Sequence, residues 1–334
     1  MIKDQLNRPL HDLRVSVIDV CNFRCKYCMP PKKNGDYKFL PKKERLAVDE
    51  FMRLIRIFST LGVRKIRLTG GEPLLWKPLA ELVNEIRGVD SIKDIAITTN
   101  GYFLAEHAEA LYKAGLNRIT VSLDHLNETA AKEITNKDFT VKHALDGIAA
   151  AEAAGFKNIK VNCVVQKDVN EDNILELVEH FRGSGHIMRF IEFMDVGNTN
   201  DWEKSTVLTG TEIRQMIHQK FPMHAADQNA YGEVAKRYVF DDGQGEVGII
   251  TSISQPFCHS CNRGRIASDG KFFTCLFAHK GHDLKAQLRS GKTDDEIYNS
   301  LLDIWTKRSD KYSEDRLVQK EHKEQKIEMS QIGG

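Results

Sequence analysis

The sequence has no long apolar run and no excess of charge of either sign. No apolar segment approaches the roughly 20 residues of a membrane-spanning helix, and the first residues, MIKDQLNRPLHDLR, lack the apolar core of a signal peptide. The 48 Lys and Arg residues nearly balance the 47 Asp and Glu residues, so no global field attracts nucleic acid or an anionic membrane. We therefore expect a cytoplasmic protein that binds neither, with any anion site built from local basic clusters.

Cysteine is also scarce, and an odd count of seven argues against a disulfide framework. Cys163 lies in an apolar run and is expected to be a small buried residue. The other six form two triplets, Cys21/Cys25/Cys28 and Cys258/Cys261/Cys275.

Strand-like and helix-like segments alternate over the first 197 residues. In the first helical stretch, Val48, Phe51, Met52, Ile55 and Phe58 recur on one face. The glycines at 62, 115 and 155 are placed to end helices. The predicted strands are Leu13–Val20, Lys65–Gly70, Asp94–Thr99, Arg118–Asp124, Lys157–Gln166 and Met188–Asp195. This order predicts an α/β fold with a parallel sheet, either an open doubly wound sheet or a closed or partial barrel, whose site lies at the C-terminal ends of the strands.

The regular alternation of strand-like and helix-like segments ends after residue 197. This change predicts a core over residues 1–197 and an extension over residues 198–334. A helix (Thr211–Phe221) and a hairpin (Ala235–Asp241 with Glu246–Ser252) precede the second triplet. Most of the charge-rich stretch Lys307–Gln331 is expected to be a solvated surface segment.

The first triplet has the spacing C-x3-C-x2-C, with Tyr27 before its last cysteine. Soft thiolates favour zinc or an iron–sulfur cluster, and a structural zinc site needs a fourth ligand that this loop lacks. Three cysteines instead leave one iron of a [4Fe–4S] cluster open to S-adenosylmethionine (SAM). Gly70-Gly71-Glu72-Pro73, alone only a turn, strengthens this interpretation because its glycines let the backbone approach a ligand closely.

The second triplet is more ambiguous. His259 and His279 are near enough in sequence to complete a zinc site. Arg263 and Arg265, two residues apart between the cysteines, point the same way in an extended segment and suit a polyphosphate. From the residues alone they are equally compatible with surface arginines.

The segments RPLHDLRVSVIDVCNFRCKYCMP, RLTGGEP, TTNG, RFIEFMDVG, FCHSCNRGRIASDGKFFTCLF and the terminal Gly333-Gly334 together resemble the GTP 3′,8-cyclase family of molybdenum-cofactor biosynthesis, over nearly the whole chain. The resemblance implies a partial (β/α)6 TIM-type barrel of the radical SAM class, with a C-terminal extension that carries a second [4Fe–4S] cluster. It implies two [4Fe–4S] clusters and SAM as cofactors. In that family a deoxyadenosyl radical abstracts the ribose C3′ hydrogen of GTP, and the product is (8S)-3′,8-cyclo-7,8-dihydroguanosine 5′-triphosphate.

The resemblance also implies roles for individual residues. The cluster ligands are the six cysteines of the two triplets. The SAM contacts are Tyr27, Gly71, Ser122 and Met194. The GTP contacts are Arg14, Arg67, Thr98, Lys160, Arg263, Gly264 and Arg265. Arg14, Arg263 and Arg265 are counted, with Cys21, Cys25 and Cys28, as catalytic, and so are Gly333 and Gly334, which on the residues alone form a frayed end.

The partners implied are GTP, an external low-potential electron donor and a downstream cyclic pyranopterin monophosphate synthase, and the resemblance allows a homodimer. Two other functions stay open. One is a radical SAM peptide maturase, which also carries auxiliary clusters. The other is an iron–sulfur electron carrier or redox sensor without SAM chemistry.

Overall fold

The computed structural model describes residues 2–31, 37–138, 141–197, 199–200, 202–316 and 327–333. Its first part contains six strands and six helices. The strands are β1 (Asp12–Ser16), β2 (Lys65–Thr69), β3 (Asp94–Thr99), β4 (Arg118–Ser122), β5 (Lys160–Val165) and β6 (Ile187–Glu192). The helices are α1 (Val48–Thr60), α2 (Leu79–Arg87), α3 (Leu104–Lys113), α4 (Glu128–Thr135), α5 (Val141–Ala154) and α6 (Ile174–Phe181). One of these helices lies between successive strands except between β4 and β5, where two helices lie.

The second part adds further strands and helices. They are α7 (Gly210–Lys220), β7 (Met223–Ala226), β8 (Lys236–Phe240), β9 (Glu246–Ile250), β10 (Arg263–Ile266), β11 (Lys271–Phe273), β12 (His282–Asp283), α8 (Leu284–Arg289), α9 (Asp294–Thr306), α10 (Tyr312–Asp315) and α11 (Met329–Ile332).

One sheet joins both parts of the chain. Its order over the described residues is β12-β11-β10-β1-β2-β3-β4-β5-β6-β9-β8-β7. β1 to β6 lie parallel and in chain order, β10 runs parallel beside β1, and β9 runs parallel beside β6. The predicted α/β fold is confirmed as a partial, barrel-like parallel sheet with a C-terminal extension. The predicted boundary at residues 197/198 stays a prediction, since strands from both sides of it share the sheet.

Helices cover the outer face of the sheet because alternate strand residues point outwards and are apolar. Leu13, Ile66, Ile97 and Val121 are at most 2% exposed and belong to one core cluster. The predicted apolar face of α1 is confirmed and lies in this core. Cys163 is fully buried, as predicted.

Several predicted element bounds differ from the structure by a few residues, for local reasons. β5 begins at Lys160 and not at Lys157, because Asn158 turns the chain with a φ of 51°. β1 ends at Ser16, although Val17 and Ile18 stay buried while the chain turns into the cysteine loop. The three glycines predicted to end helices all have positive φ, and the predicted hairpin forms as β8 and β9.

The prediction that most of Lys307–Gln331 is a solvated segment does not hold for Arg308. Arg308 is buried, with 4% of the residue exposed, because it pairs with Asp4 and Asp310. Residues 317–326 of that segment lie outside the described residues.

Within the described residues, we find no helix that is both long and apolar enough to cross a membrane.

Candidate active site

A cavity of about 290 Å³ opens at the C-terminal ends of the parallel strands. All six cysteines of the two triplets line it. The predicted site residues Arg14, Arg67, Thr98, Tyr27, Gly71, Ser122, Met194, Arg263 and Arg265 also line it. The structure therefore brings together two cysteine triplets and a group of arginines that are far apart in sequence.

The first triplet lies in the loop after β1, whose middle is held by α4. The amides of Arg24 and Lys26 donate to the carbonyls of Thr135 and Ile134 at the end of α4. Burial raises the pKa of both Cys21 and Cys28 to about 12. Buried thiols of this kind become thiolates when a metal displaces their protons. The donor set of three cysteines fits one [4Fe–4S] cluster with an open iron.

The Gly70-Gly71-Glu72 turn packs directly against this loop. The Gly71 amide donates to the Ile18 carbonyl at 2.7 Å, and a Cβ at Gly71 would overlap the backbone of Val20. Glycine is needed here for close backbone approach. Its place on the cavity wall keeps Gly71 a candidate SAM contact.

Glu72 ties the ends of β2 and β3 together, a role that the sequence analysis missed. Its buried carboxylate accepts hydrogen bonds from the Leu74 amide, the Thr99 hydroxyl and the Asn100 amide, at 2.7 to 3.0 Å. Burial raises the pKa of Glu72 to about 7 in spite of these donors. The GGEP and TTNG segments, treated separately in the sequence, therefore form one hydrogen-bonded unit.

Asp124, beyond the end of β4, is a second residue that the prediction of site residues missed. The Tyr27 hydroxyl donates to its Oδ2 at 2.7 Å, and the Val164 amide donates to Oδ1 at 2.9 Å. Burial raises the pKa of Asp124 to about 6. Asp124 thus fixes Tyr27 within the first cysteine loop.

Arginines form the floor of the cavity. In the strand register Arg14 on β1 lies between Arg67 on β2 and Arg265 on β10. Within the part of the chain that the structure describes, the buried Nε atoms of Arg14, Arg67 and Arg263 have no hydrogen-bond partner. Burial and the neighbouring Arg263 lower the pKa of Arg265 to about 10. Converging buried cations with unsatisfied donors are suited to a polyanion.

Arg189 on β6 is a further cation of this floor that the sequence analysis missed. Its Nε donates to the Asn162 side chain at 2.9 Å, and burial together with Arg67 lowers its pKa to about 9. The sequence contained a signal for this role. Arg189 is the first residue of RFIEFMDVG and lies on the same strand face as Ile191, which lines the cavity.

Two predicted GTP contacts do not line the cavity. Lys160 lies on the floor side of it, where burial and Arg189 lower its pKa to about 7. Gly264 faces the opposite side of β10, where a Cβ would come within 2.7 Å of Phe272. Its missing side chain lets β10 pack against the core, so only its backbone is available to a ligand.

The C-terminal tail reaches the same floor. The guanidinium of Arg265 donates to the Gly333 carbonyl, and a Cβ at Gly333 would overlap the Thr69 side chain. Gly333 has a φ of 72°, and Ile332 before it is fully buried against Ala267 and Phe273. Gly334 lies outside the described residues. The interpretation from the residues alone that Gly333 belongs to a frayed end is therefore wrong.

Two cysteines of the second triplet, Cys258 and Cys261, lie on the connection from β9 to β10, and Cys275 follows β11. Burial alone would raise the pKa of Cys261, but the Arg263 and Arg308 guanidiniums outweigh it and lower that pKa to about 6. The side chain of His259 is 77% exposed and pairs with Glu314, while the ring of His279 lies edge-on to Tyr312. Neither histidine lines the cavity.

No group of three or more His, Cys, Asp or Glu residues among those described is placed to hold a metal ion. A [4Fe–4S] cluster does not require its ligands to converge on one ion, because each cysteine binds a different iron. The three-cysteine donor set therefore fits such a cluster at the second triplet as well.

Comparison with known proteins identifies the family. Residues 15–181 match the radical SAM superfamily, and residues 186–314 match the family described as Molybdenum Cofactor Synthesis C. A GTP 3′,8-cyclase of Xanthomonas campestris pv. campestris (strain 8004) is 49% identical over 333 residues, covering 100% of this chain and 97% of that protein. A GTP 3′,8-cyclase of Staphylococcus haemolyticus is 46% identical over 337 residues, covering 100% of this chain and 99% of that protein.

Among solved structures, SuiB of Streptococcus suis bound to SAM is similar, with a TM-score of 0.60 and 17% identity, over 93% of this chain and 68% of SuiB. This likeness shows a shared fold. The sequence identity to the cyclases, which extends over the full chain, shows the family: the chain belongs to the GTP 3′,8-cyclases of the radical SAM superfamily.

Proposed function

We propose that this chain converts GTP to (8S)-3′,8-cyclo-7,8-dihydroguanosine 5′-triphosphate, the first step of molybdenum-cofactor biosynthesis, inside the cavity between the two cysteine triplets. The observation that carries the proposal is that one cavity is lined by both triplets and floored by arginines. Neither an electron carrier nor a redox sensor needs a polyanion site between two clusters.

Each triplet holds one [4Fe–4S] cluster, the first with SAM. When bound, the first cluster and SAM together supply a 5′-deoxyadenosyl radical. Tyr27, Gly71, Ser122 and Met194 bind SAM, which is supported by their position on the wall beside Cys21, Cys25 and Cys28. Asp124 keeps Tyr27 in place through the 2.7 Å hydrogen bond.

The arginine floor binds the triphosphate of GTP. Arg14, Arg67 and Arg263 contribute the unsatisfied Nε donors, and Arg265 and Arg189 add charge from the flanking strands β10 and β6. Guanidinium groups bind phosphate through paired N–H donors, which orients the nucleotide as well as attracting it. With the triphosphate on the floor, the nucleoside extends toward the cysteine triplets.

The other predicted residues have supporting roles. Lys160 adds a cation below the floor, Thr98 accepts a hydrogen bond from Arg67 at 3.2 Å, and Gly264 offers only backbone. Gly333 closes the floor side of the cavity and excludes water there, which is supported by its contacts with Arg265 and Thr69. Gly334 lies outside the described residues and stays a predicted catalytic residue.

The partners follow from this chemistry. An external low-potential electron donor must reduce the clusters, and a cyclic pyranopterin monophosphate synthase consumes the product. Thiolate clusters fit the reducing cytoplasm better than an oxidising compartment. A homodimer is compatible with the fold.

An anaerobic incubation with SAM, GTP and reductant, followed by chromatographic separation of the nucleotides and mass analysis, tests the proposal. We expect 5′-deoxyadenosine together with a cyclic nucleotide of the same mass as GTP that requires both triplets. Deoxyadenosine with no change in the nucleotide would favour a peptide maturase, and its absence would favour an electron carrier.

A further inference from the structure

A network of four charged residues, three of them buried, lies behind the second triplet and outside the GTP floor. It joins the two ends of the chain: Asp4 and Arg8 come from the N-terminal turn, and Arg308 and Asp310 follow α9. Asp4, Arg8 and Arg308 are at most 6% exposed. None of the four lines the cavity, so the proposed binding of GTP does not explain them.

Arg308 contacts Cys261 twice. Its Nη1 donates to the Cys261 carbonyl at 2.9 Å, and its Nη2 lies 3.5 Å from the Cys261 sulfur. Nη2 of Arg263 also lies 3.3 Å from the same sulfur. Cys261 is therefore held by two contacts from Arg308 of the network and by one contact from Arg263 of the GTP floor.

The network fixes the guanidinium of Arg308 in this position. Arg308 bonds to Asp4 at 3.2 Å and to Asp310 at 3.0 Å, and its Cζ lies 4.6 Å from the ring centre of Trp305. The Arg308 carbonyl also accepts a hydrogen bond from the Gln5 amide. A charge buried and paired in this way has little freedom to move away from the sulfur.

Arg8 shows what a purely structural member of the network does. Its Nη1 donates to the carbonyls of Cys258 and Asp310, both at 2.9 Å, and its Nε pairs with Asp4 at 2.6 Å. These bonds hold the backbone of the triplet. Arg308 differs from Arg8 because it reaches a ligand sulfur as well.

We propose that Arg308 is a positioning residue for the second cluster, which fixes Cys261 as a ligand and raises the reduction potential of that cluster. This inference rests on the proposed function, namely that the second triplet holds a [4Fe–4S] cluster. Hydrogen bonds to ligand sulfurs and nearby charge set the potential of such clusters. A cation beside the sulfur stabilises the reduced form, which carries one more negative charge.

The test uses the full-length chain with Cys21, Cys25 and Cys28 replaced by alanine, so that only the second cluster contributes. Arg308→Met is introduced there, and the midpoint potential and the EPR spectrum of the reduced cluster are measured anaerobically. We expect a more negative midpoint, an altered EPR spectrum, and iron retention against a chelator that is about 10- to 100-fold weaker.

Arg316→Met in the same background is the matched control. Arg316 follows Arg308 on the same C-terminal segment, but it pairs with Asp195 and lies over the ring of Phe277. We expect the control to keep the parent midpoint and spectrum. An equal shift in both variants would attribute the effect to general loosening and overturn the proposal.

Arg308→Lys decides the case if the methionine variant does not fold or load iron. Lysine keeps the positive charge but cannot contact both the carbonyl and the sulfur of Cys261 as the two Nη atoms of Arg308 do. We therefore expect a smaller shift of the midpoint potential in the same direction. A parent-like midpoint and spectrum in whichever of the two variants loads iron would overturn the role of Arg308. If the parent protein itself carried no cluster at the second triplet, the proposed function would be wrong. This outcome is distinguishable from a failure of the Arg308 proposal, in which the parent carries the cluster but the variants keep its midpoint potential.

Discussion

Replacing Gly333 by alanine tests whether the C-terminal tail completes the active site. Gly333 has a φ of 72°, a region that costs an L-residue about 1–2 kcal/mol. The new Cβ would also overlap the Thr69 side chain. If the backbone moves to avoid this overlap, the hydrogen bond from Arg265 to the Gly333 carbonyl is weakened, and bonds from charged donors contribute about 1.5–3 kcal/mol.

Because about 1.4 kcal/mol corresponds to a factor of ten in an equilibrium constant, Gly333→Ala should lower the equilibrium constant for docking of the tail at least about tenfold. We expect the initial rate of cyclic nucleotide formation to fall in proportion to the docked fraction of the tail. The iron content and melting temperature should stay unchanged, because the glycine buries no side chain.

Gln331→Ala is the matched control, since Gln331 is exposed on the preceding turn of the same tail. It should retain the parent rate. Full activity of Gly333→Ala would show that the tail has no part in catalysis. Loss of iron from that variant would show instead that the tail protects a cluster.

Three further outcomes are expected. Replacing the three cysteines of the second triplet by alanine should leave one cluster that still cleaves SAM, seen as 5′-deoxyadenosine without cyclic nucleotide; product from this variant would remove the second cluster from the reaction. Arg263→Ala and Arg265→Ala should each weaken GTP binding about 10- to 100-fold in equilibrium titrations, and unchanged affinity in both would contradict a phosphate floor. The pKa of Lys160 is about 7 in the free site, and the GTP anion should raise it. GTP affinity should therefore be constant below that pKa and fall by up to about tenfold per pH unit above it; Lys160→Gln should abolish this slope, and a slope that persists would exclude Lys160 as its source.

Much of the core follows from local sequence pattern. Each of β1 to β6 forms within three residues of its predicted start, because the strands alternate with amphipathic helices and glycine caps. The first triplet was identifiable because its three ligands lie within eight residues of one another. Local spacing is sufficient when one loop holds the whole site.

The arginine floor depends on long-range pairing that local pattern does not encode. Arg14 and Arg265 become neighbours because β10 adds in parallel beside β1, while β9 adds at the opposite edge beside β6. Nothing in the sequence of a short strand such as RGRI states which edge it joins. From the residues alone, Arg263 and Arg265 are therefore equally compatible with surface arginines. Only the family resemblance assigns them to a GTP site.

Arg308 shows a different reason for failure. Charge density predicts exposure because burying an unpaired charge is costly. That rule does not hold when partners arrive from elsewhere, and Asp4 lies at the other end of the chain. A charge-rich segment is thus predicted correctly only when its ion-pair partners are known.

The position of β10 also accounts for the electrostatics of the cavity. By pairing with β1 it places Arg263 and Arg265 beside Arg14, and burial with these like charges lowers the pKa of Arg14 and Arg265. A folded protein tolerates such repulsion chiefly where function requires it, because the same residues would be more stable apart. A bound polyanion relieves the repulsion, so the attraction for a triphosphate is already present in the free protein. The same strand begins just after Cys258 and Cys261, and the topology that concentrates the cations therefore also places them beside two cysteines of the second triplet.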